Sequence, residues 1–373
     1  MKIIQIMDNL ITAGGVNSFV YDLCIALKEA SQDVTLIGII GDPDEVKDQA
    51  LAVREAGIPV HCLCMKSKKQ ALAIGIPKLR RLVKEIAGNE RTICNLHLKL
   101  SVLMGGLSTI GLKNVKCVET YHNTYHHYHL EYFLMQPRIK KYITVSETAK
   151  QEMFDRFHAP KRKVIAAPNG VDREKLRNMV SKRGHDGDYT SVISVGRLSS
   201  EKNFLIPVKA FSSICNEKIR YTVIGDGPQR KEVEEAANGN SHIRFIGAVP
   251  RQIVLDELAA ADIIVMPSLW EGRSILQLEA MAFDLPMILS DVPGLREPFY
   301  EGSLRGDEPL RRTTFGYLVK TNDVGSYREA LLDYIKNKDK NEEMRNAVCK
   351  VSINNSISKM VRTYLTAYGE VFE

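Results

Sequence analysis

No apolar run in the 373 residues approaches the roughly 20 that a membrane-crossing helix needs, so no spanning segment is expected. Cysteine is scarce and odd in number. Seven residues without paired spacing exclude a disulfide framework and fit reduced packing thiols of a cytoplasmic protein. Cys62-Leu63-Cys64 alternates on an expected strand, and no second pair completes a zinc set. Met1 to Met7 is too short for a secretory core and reads as a first strand. The dinucleotide signature Gly-x-Gly-x-x-Gly is missing too. Gly225-Asp226-Gly227-Pro228-Gln229-Arg230 fails it, which counts against a nicotinamide or flavin enzyme. Nor is there an Asp-x-Asp with supporting ligands, an aromatic-basic platform or a groove-reading motif, so neither a metal nor a nucleic-acid partner is expected.

What is present describes a soluble α/β protein: 44% hydrophobic, 26% charged, and long enough for two domains of ordinary size. The net charge of +6 is unevenly spread. Residues 1–180 hold 26 Lys and Arg against 18 Asp and Glu, whereas the remainder holds 25 against 27. Basic residues gather at Lys66, Lys68, Lys69, Lys78, Arg80, Arg81 and Lys84, and again at Arg138, Lys140 and Lys141. Leu79, Leu82, Val83 and Ile86 recur at helical spacing among them, giving one apolar face and a basic remainder. Such a helix can rest on an anionic bilayer or be solvated on one side and packed on the other.

Short β-branched runs alternate with helical patterns from the first residues onward. Strands are expected at Lys2–Met7, Val34–Ile40, Val60–Leu63, Thr92–Leu96, Lys116–Glu119, Tyr142–Val145 and Val164–Ala166, with a helix from Asn17 to Glu29 and another through Arg54. A second series follows: strands Ser191–Val195, Tyr221–Ile224, Ile243–Phe245 and Ile263–Met266, with helices Phe204–Ser213, from Gln229, and Ile253–Ala261. This βαβ alternation implies two doubly wound, Rossmann-like domains with parallel sheets, facing each other across a cleft. The polar stretch from Ser181 to Asp188 is the best linker in the chain. The expected domains are 1–172 and 190–356, joined by a linker over 173–189.

Three places carry chemistry. Glu271-Gly272-Arg273-Ser274-Ile275-Leu276-Gln277-Leu278-Glu279 follows the run Ile263–Met266 and the turn Pro267-Ser268-Leu269. It puts one carboxylate in a loop at a strand's carboxyl end and another a turn inside the next helix. A phosphate-accepting helix start flanked by two carboxylates suits a ligand with sugar hydroxyls at both ends of a diphosphate. Arg197 and Lys202 lie just after Ser191–Val195, where a planar fork and a point charge could clamp that diphosphate. Gly14-Gly15, after the first strand, lets backbone amides approach an anion or simply makes a tight turn.

Together these residues closely resemble the family-4, retaining, GT-B-type glycosyltransferases over nearly the whole chain. The landmarks are Gly14-Gly15, the His122 region, Asn169-Gly170-Val171-Asp172, Gly196-Arg197-Leu198-x-x-x-Lys202, Gly225-Asp226-Gly227-Pro228 and the two glutamates eight apart. The resemblance implies His122, Arg197, Lys202 and Glu271 as candidate catalytic residues. It implies Gly14, Gly15, Val249, Gly272, Arg273, Ser274, Ile275, Leu276 and Glu279 as donor-binding residues. In it, Arg197 and Lys202 hold the donor's diphosphate, Glu271 meets hydroxyls of the transferred sugar and Glu279 those of the ribose. The amides of Ile275 and Leu276 meet phosphate, the Val249 backbone the nucleobase, and His122 the sugar. The first domain would bind the acceptor and a C-terminal helix from about 357 to 373 would join it; the second would bind the donor. The family generally needs no metal or other cofactor, the nucleotide sugar being a substrate. His126, His127 and His129 crowd His122, yet their spacing forms no closed ligand set.

Two departures from the family pattern stand out. Arg273 replaces an apolar residue and either selects a charged sugar or acceptor or points away from the ligand. Asp284 replaces Gly in the turn after the helix, where Asp can adopt the same left-handed backbone. The function implied is transfer of a sugar from a UDP- or GDP-sugar to a hydroxyl acceptor, in polysaccharide or glycolipid synthesis. A lipid-linked acceptor and peripheral contact with the inner membrane face go with the basic first half. The alternatives are a non-hydrolysing nucleotide-sugar epimerase of the same fold and a catalytically silent sugar-nucleotide-binding subunit.

Overall fold

Fourteen strands among the described residues assemble into two seven-stranded sheets, and each sheet reverses its strand order once. The computed structural model describes residues 1–10, 14–42, 50–122, 133–180, 184–185, 187–214 and 218–373. In the first sheet, β1 (Lys2–Asn9), β2 (Asp33–Ile40), β3 (Val60–Met65), β4 (Thr92–His97), β5 (Val115–Tyr121), β6 (Ile139–Thr144) and β7 (Val164–Ala166) run in the order β3-β2-β1-β4-β5-β6-β7. All pairs are parallel. The interior of β1, Ile3 to Met7, is fully buried, as a central parallel strand covered on both faces must be.

The second sheet comprises β8 (Thr190–Val195), β9 (Ile219–Ile224), β10 (Ile243–Gly247), β11 (Ile263–Met266), β12 (Met287–Ser290), β13 (Leu310–Thr313) and β14 (Gly316–Val319). Its order is β10-β9-β8-β11-β12-β14-β13, and only the edge strand β13 is antiparallel. The order reverses between β1 and β4 in one sheet and between β8 and β11 in the other. In open α/β sheets the crevice at such a reversal, outside the strands' carboxyl ends, is where ligands bind.

Met1–Gly170 with Ile357–Glu373 form one compact unit, and Val171–Ser356 the other. Helix Ile357–Gly369 belongs to the first unit by packing: Tyr364 and Tyr368 are fully buried, and Thr120 and Gln5 reach their hydroxyls. The expected linker over 173–189 is different. Asp172 caps helix Arg173–Asn178, and Arg173 and Arg177 both pair with Asp284 at the end of helix Ile275–Ala282. The segment therefore belongs to the second unit. Its later polarity serves the same end: His185 meets Asp262 at 2.9 Å and stacks on Tyr189.

Candidate functional site

The loops leaving β8 and β11 are laced together before any ligand is considered. Gly225, after β9, has a positive φ, and a Cβ there would lie 1.9 Å from the Gly196 carbonyl. Leu198 N–H donates to the Asp226 carbonyl and Gln229 N–H to the Leu198 carbonyl, both at 2.9 Å. The Gly225-Asp226-Gly227 segment is thus a backbone clasp that fixes where the Arg197 loop leaves the sheet. Leu269 N–H then donates to the Glu201 carbonyl at 2.8 Å, tying that loop to the one after β11. On the far side, helix Pro293–Arg296 presses on Glu271: a Cβ on Gly294 would sit 2.0 Å from its carbonyl oxygen.

Within this frame Lys202 Nζ lies 2.5 Å from Glu271 Oε1, which also accepts from Ser268 Oγ at 2.8 Å. Two side chains 69 positions apart meet because β8 and β11 are neighbours at the reversal. Arg197, on the same loop, is exposed. Ser274 caps helix Ile275–Ala282 by accepting from Gln277 N–H. The first-turn amides of Ile275 and Leu276 have no intrahelical acceptor by construction, so they form an anion-accepting mouth. Gly272, Ser274, Ile275 and Leu276 lie at this helix start.

Glu279 is buried one turn further along, and a residue absent from the sequence reading holds it. Arg251 Nε and Nη2 lie 2.9 and 2.7 Å from Glu279 Oε1. Arg251 opens the helix that follows the half-buried Val249, so the loop with the nucleobase candidate reaches the ribose candidate through this guanidinium. Arg273 goes elsewhere. Its guanidinium is buried against Glu297, at 3.4 Å, and against Asn355. Burial lowers its pKa while Glu297 opposes the shift. Of the two orientations weighed from sequence, the pairing with Glu297 and Asn355 goes with the one turned away from the ligand. Asp284 has φ of 60°, the left-handed backbone its position demands, and its carboxylate adds the Arg173 and Arg177 pairs.

The first unit presents its candidates at the corresponding reversal. Gly14 has φ of 125° and immediately precedes helix Gly15–Glu29. His122, directly after β5, is partly exposed and sits 2.9 Å from the fully buried His97 at the end of β4. Burial depresses the pKa of both rings, His122 to about 3. His126, His127 and His129 lie outside the described residues. Among the described residues, no group of three His, Cys, Asp or Glu side chains could hold a metal ion.

Two doubly wound units, one with a cation–carboxylate pair beside a helix mouth at its sheet reversal, define the class as an α/β protein of two Rossmann-like domains. Comparison with known proteins agrees and narrows it. Residues 13–175 match the family described as Glycosyltransferase Family 4, and residues 176–351 match Glycosyl transferases group 1. The chain belongs to this family. One relative is the UDP-Gal:alpha-D-GlcNAc-diphosphoundecaprenol alpha-1,3-galactosyltransferase of Escherichia coli, 28% identical over 217 residues, which are 53% of this chain and 52% of that protein. Another is the alpha-monoglucosyldiacylglycerol synthase of Streptococcus pneumoniae, 26% identical over 248 residues, 57% of this chain and 56% of that one. The chain spans about half the length of the curated relatives it matches. Among solved structures, Anabaena HepE in complex with UDP and glucose superposes with a TM-score of 0.78 at 14% identity, covering 99% of this chain and 100% of that one. At that identity the likeness is one of fold, and the fold is GT-B.

Proposed function

We propose that the protein is a retaining glycosyltransferase that moves a sugar from a UDP- or GDP-sugar to a hydroxyl acceptor. The observation that carries this reading is the meeting of Lys202 and Glu271 at the β8–β11 reversal, four residues before a capped helix mouth. One relative named above takes galactose from UDP-Gal to a diphosphoundecaprenol-linked sugar and the other is named for a glucosyldiacylglycerol product, which agrees with it. Breaking the bond between sugar and diphosphate leaves positive charge on the sugar and negative charge on the departing nucleoside diphosphate. Arg197, Lys202 and the amides of Ile275 and Leu276 answer the second charge, and preorganised donors of this kind supply a large share of catalysis. Glu271 holds sugar hydroxyls and, in the free protein, keeps the Lys202 ammonium in place. Glu279, fixed by Arg251, accepts from the ribose.

Retention follows if the acceptor attacks from the face the diphosphate leaves. The acceptor hydroxyl then gives its proton to the departing phosphate oxygen, and no carboxylate forms a covalent intermediate. The acceptor proposed is lipid-linked, and the protein works at an anionic membrane surface. Leu79, Val83 and Ala87 of helix Ile76–Ala87 are buried while Lys78, Arg81 and Lys84 are exposed. The helix thus packs on its apolar side and offers cations outward. Leu72 and Ile74, 41% and 47% exposed in the preceding turn, add apolar contact beside those cations.

The test is donor turnover in Lys202→Ala. It should lose about two to three orders of magnitude in kcat, the scale for removing one transition-state donor, with an unchanged circular dichroism spectrum. Turnover within threefold of native would overturn the reading.

A further inference from the structure

Arg273 stands between Glu271 and the capping Ser274, yet its side chain is only 3% exposed. Nη1 faces Glu297 at 3.4 Å and Nη2 donates to Asn355 Oδ1, and the two partners lie on different elements. Glu297 opens the short turn Glu297–Phe299, directly after helix Pro293–Arg296. That helix also presses on the loop itself. A Cβ on Gly294 would meet the carbonyl oxygens of Glu271 at 2.0 Å and of Gly272 at 3.0 Å. One packed element therefore grips the loop twice, by backbone at Glu271 and by charge at Arg273.

Asn355 follows helix Lys338–Asn354 and meets more than Arg273. Its Nδ2 donates to the Val351 carbonyl at 2.8 Å, and its own carbonyl accepts from Val171 N–H at 3.1 Å. Val171 and Ser356, the first and last residues of the second unit, also form a parallel bridge. The two ends of that unit are thus tied beside Asn355, and the guanidinium reaches the tie from the Glu271 loop. Just beyond Val171, helix Arg173–Asn178 holds the far end of helix Ile275–Ala282. Arg173 Nη1 donates to the Met281 carbonyl at 3.2 Å and Arg177 Nε to the Ala282 carbonyl at 2.6 Å. The helix with the anion-accepting mouth is therefore braced at both ends by residues flanking one bridge. A guanidinium presents several N–H groups in one plane, so it serves a carboxylate and an amide oxygen together. An apolar side chain in its place could do neither.

We propose that Arg273 is a positioning residue that ties the Glu271 loop to the paired ends of the second unit, so that a nucleoside diphosphate seated at the helix mouth also steadies the Val171–Ser356 bridge. The proposal rests on the transferase reading and gives Arg273 no contact with sugar or acceptor. Coupling of this kind is reciprocal. Cutting the tie weakens the nucleotide by the same factor by which the nucleotide steadies the bridge.

The test is amide hydrogen exchange of the full chain, which reads local opening, with and without saturating UDP or GDP. Native, Arg273→Met and Asn355→Ala proteins are compared at the amides of Val171 and Asn355. Nucleotide should slow exchange there about fivefold in the native chain. In each variant the slowing should vanish, and affinity for the same nucleotide should fall about fivefold. Both variants cut one tie, so the double variant should lose no more than either alone. Arg273→Met strands the buried Glu297 carboxylate; should it not fold, Asn355→Ala, which leaves that ion pair in place, carries the test. A merely structural role would lower the melting temperature and leave the nucleotide-dependent slowing intact. Undiminished slowing in Asn355→Ala, or losses that add in the double variant, would overturn the proposal. So would a changed sugar preference in Arg273→Met alone, which would put the guanidinium at the ligand. A native chain that binds nucleotide without slowing exchange at these amides removes the tie and leaves the transferase reading standing. A native chain that binds neither nucleotide overturns that reading, and the tie falls with it.

Discussion

Arg251 sets two nitrogens on one oxygen of Glu279, and that oxygen belongs to a carboxylate only 8% exposed. A buried carboxylate so held is oriented before any ligand arrives, which would lower the ordering cost of binding the ribose proposed for it. Removing the guanidinium leaves Glu279 to find water or turn away. Arg251→Ala should therefore weaken donor binding about tenfold, or roughly 1.4 kcal/mol, while Arg251→Lys, a point charge without the fork, recovers only part. Isothermal titration with UDP and GDP measures this, and equal affinity in native and Arg251→Ala proteins would remove Arg251 from the site. The sequence could not name Arg251. Its partner lies 28 positions away and is brought there by helix packing alone. Lys202 and Glu271 were legible, because each follows a recognisable buried strand and neighbouring parallel strands bring their carboxyl ends together. Arg273 was legible as unusual but not as buried, since Glu297 and Asn355 reach it through tertiary packing.

At the scale of elements, the glycine-rich turn after β9 changes meaning once it is seen against its neighbour. Read along the chain, Gly225-Asp226-Gly227 is a failed nucleotide fingerprint. In the fold it clasps the backbone of Gly196 to Leu198, and the strands it joins are β8 and β9, paired in parallel from Thr190 to Val195. Gly225 and Gly239 both have positive φ, yet a Cβ at Gly239 would meet nothing within 4 Å. Gly239→Ala should cost only the backbone penalty, about 1 kcal/mol. Gly225→Ala adds a clash with backbone that cannot rotate away, so it should cost about 3 kcal/mol or more and weaken donor binding as well. Urea denaturation of the two variants compares them directly. Equal midpoints would mean the clasp is slack. Strand and helix existence was readable from periodicity in both halves. The start of the expected linker forms helix Arg173–Asn178, capped by Asp172 and paired to Asp284, contacts that a reading along the chain does not reveal.

For the whole molecule, two sheets with the same reversal carry different surfaces. The first unit holds the excess of positive charge, and its exposed cations flank Leu72 and Ile74. No helix among the described residues is long and apolar enough to cross a membrane. Reversing Lys78, Arg81 and Lys84 to Glu should abolish sedimentation with vesicles containing phosphatidylglycerol, with the effect shrinking as salt rises. Binding indifferent to the reversal would remove the membrane from the account.

The central claim is that Arg197, Lys202, Glu271 and Glu279 together receive a nucleoside diphosphate carrying a sugar. The most direct measurement is thermal stabilisation of the native chain across a panel of UDP-, GDP-, ADP- and TDP-sugars at saturating concentration. At a hundred times Kd a ligand confined to the native state adds about 2.7 kcal/mol. The melting temperature should rise for one nucleotide class, and the rise should vanish in Glu279→Ala. A flat response across the panel, or stabilisation undiminished in Glu279→Ala, would contradict it.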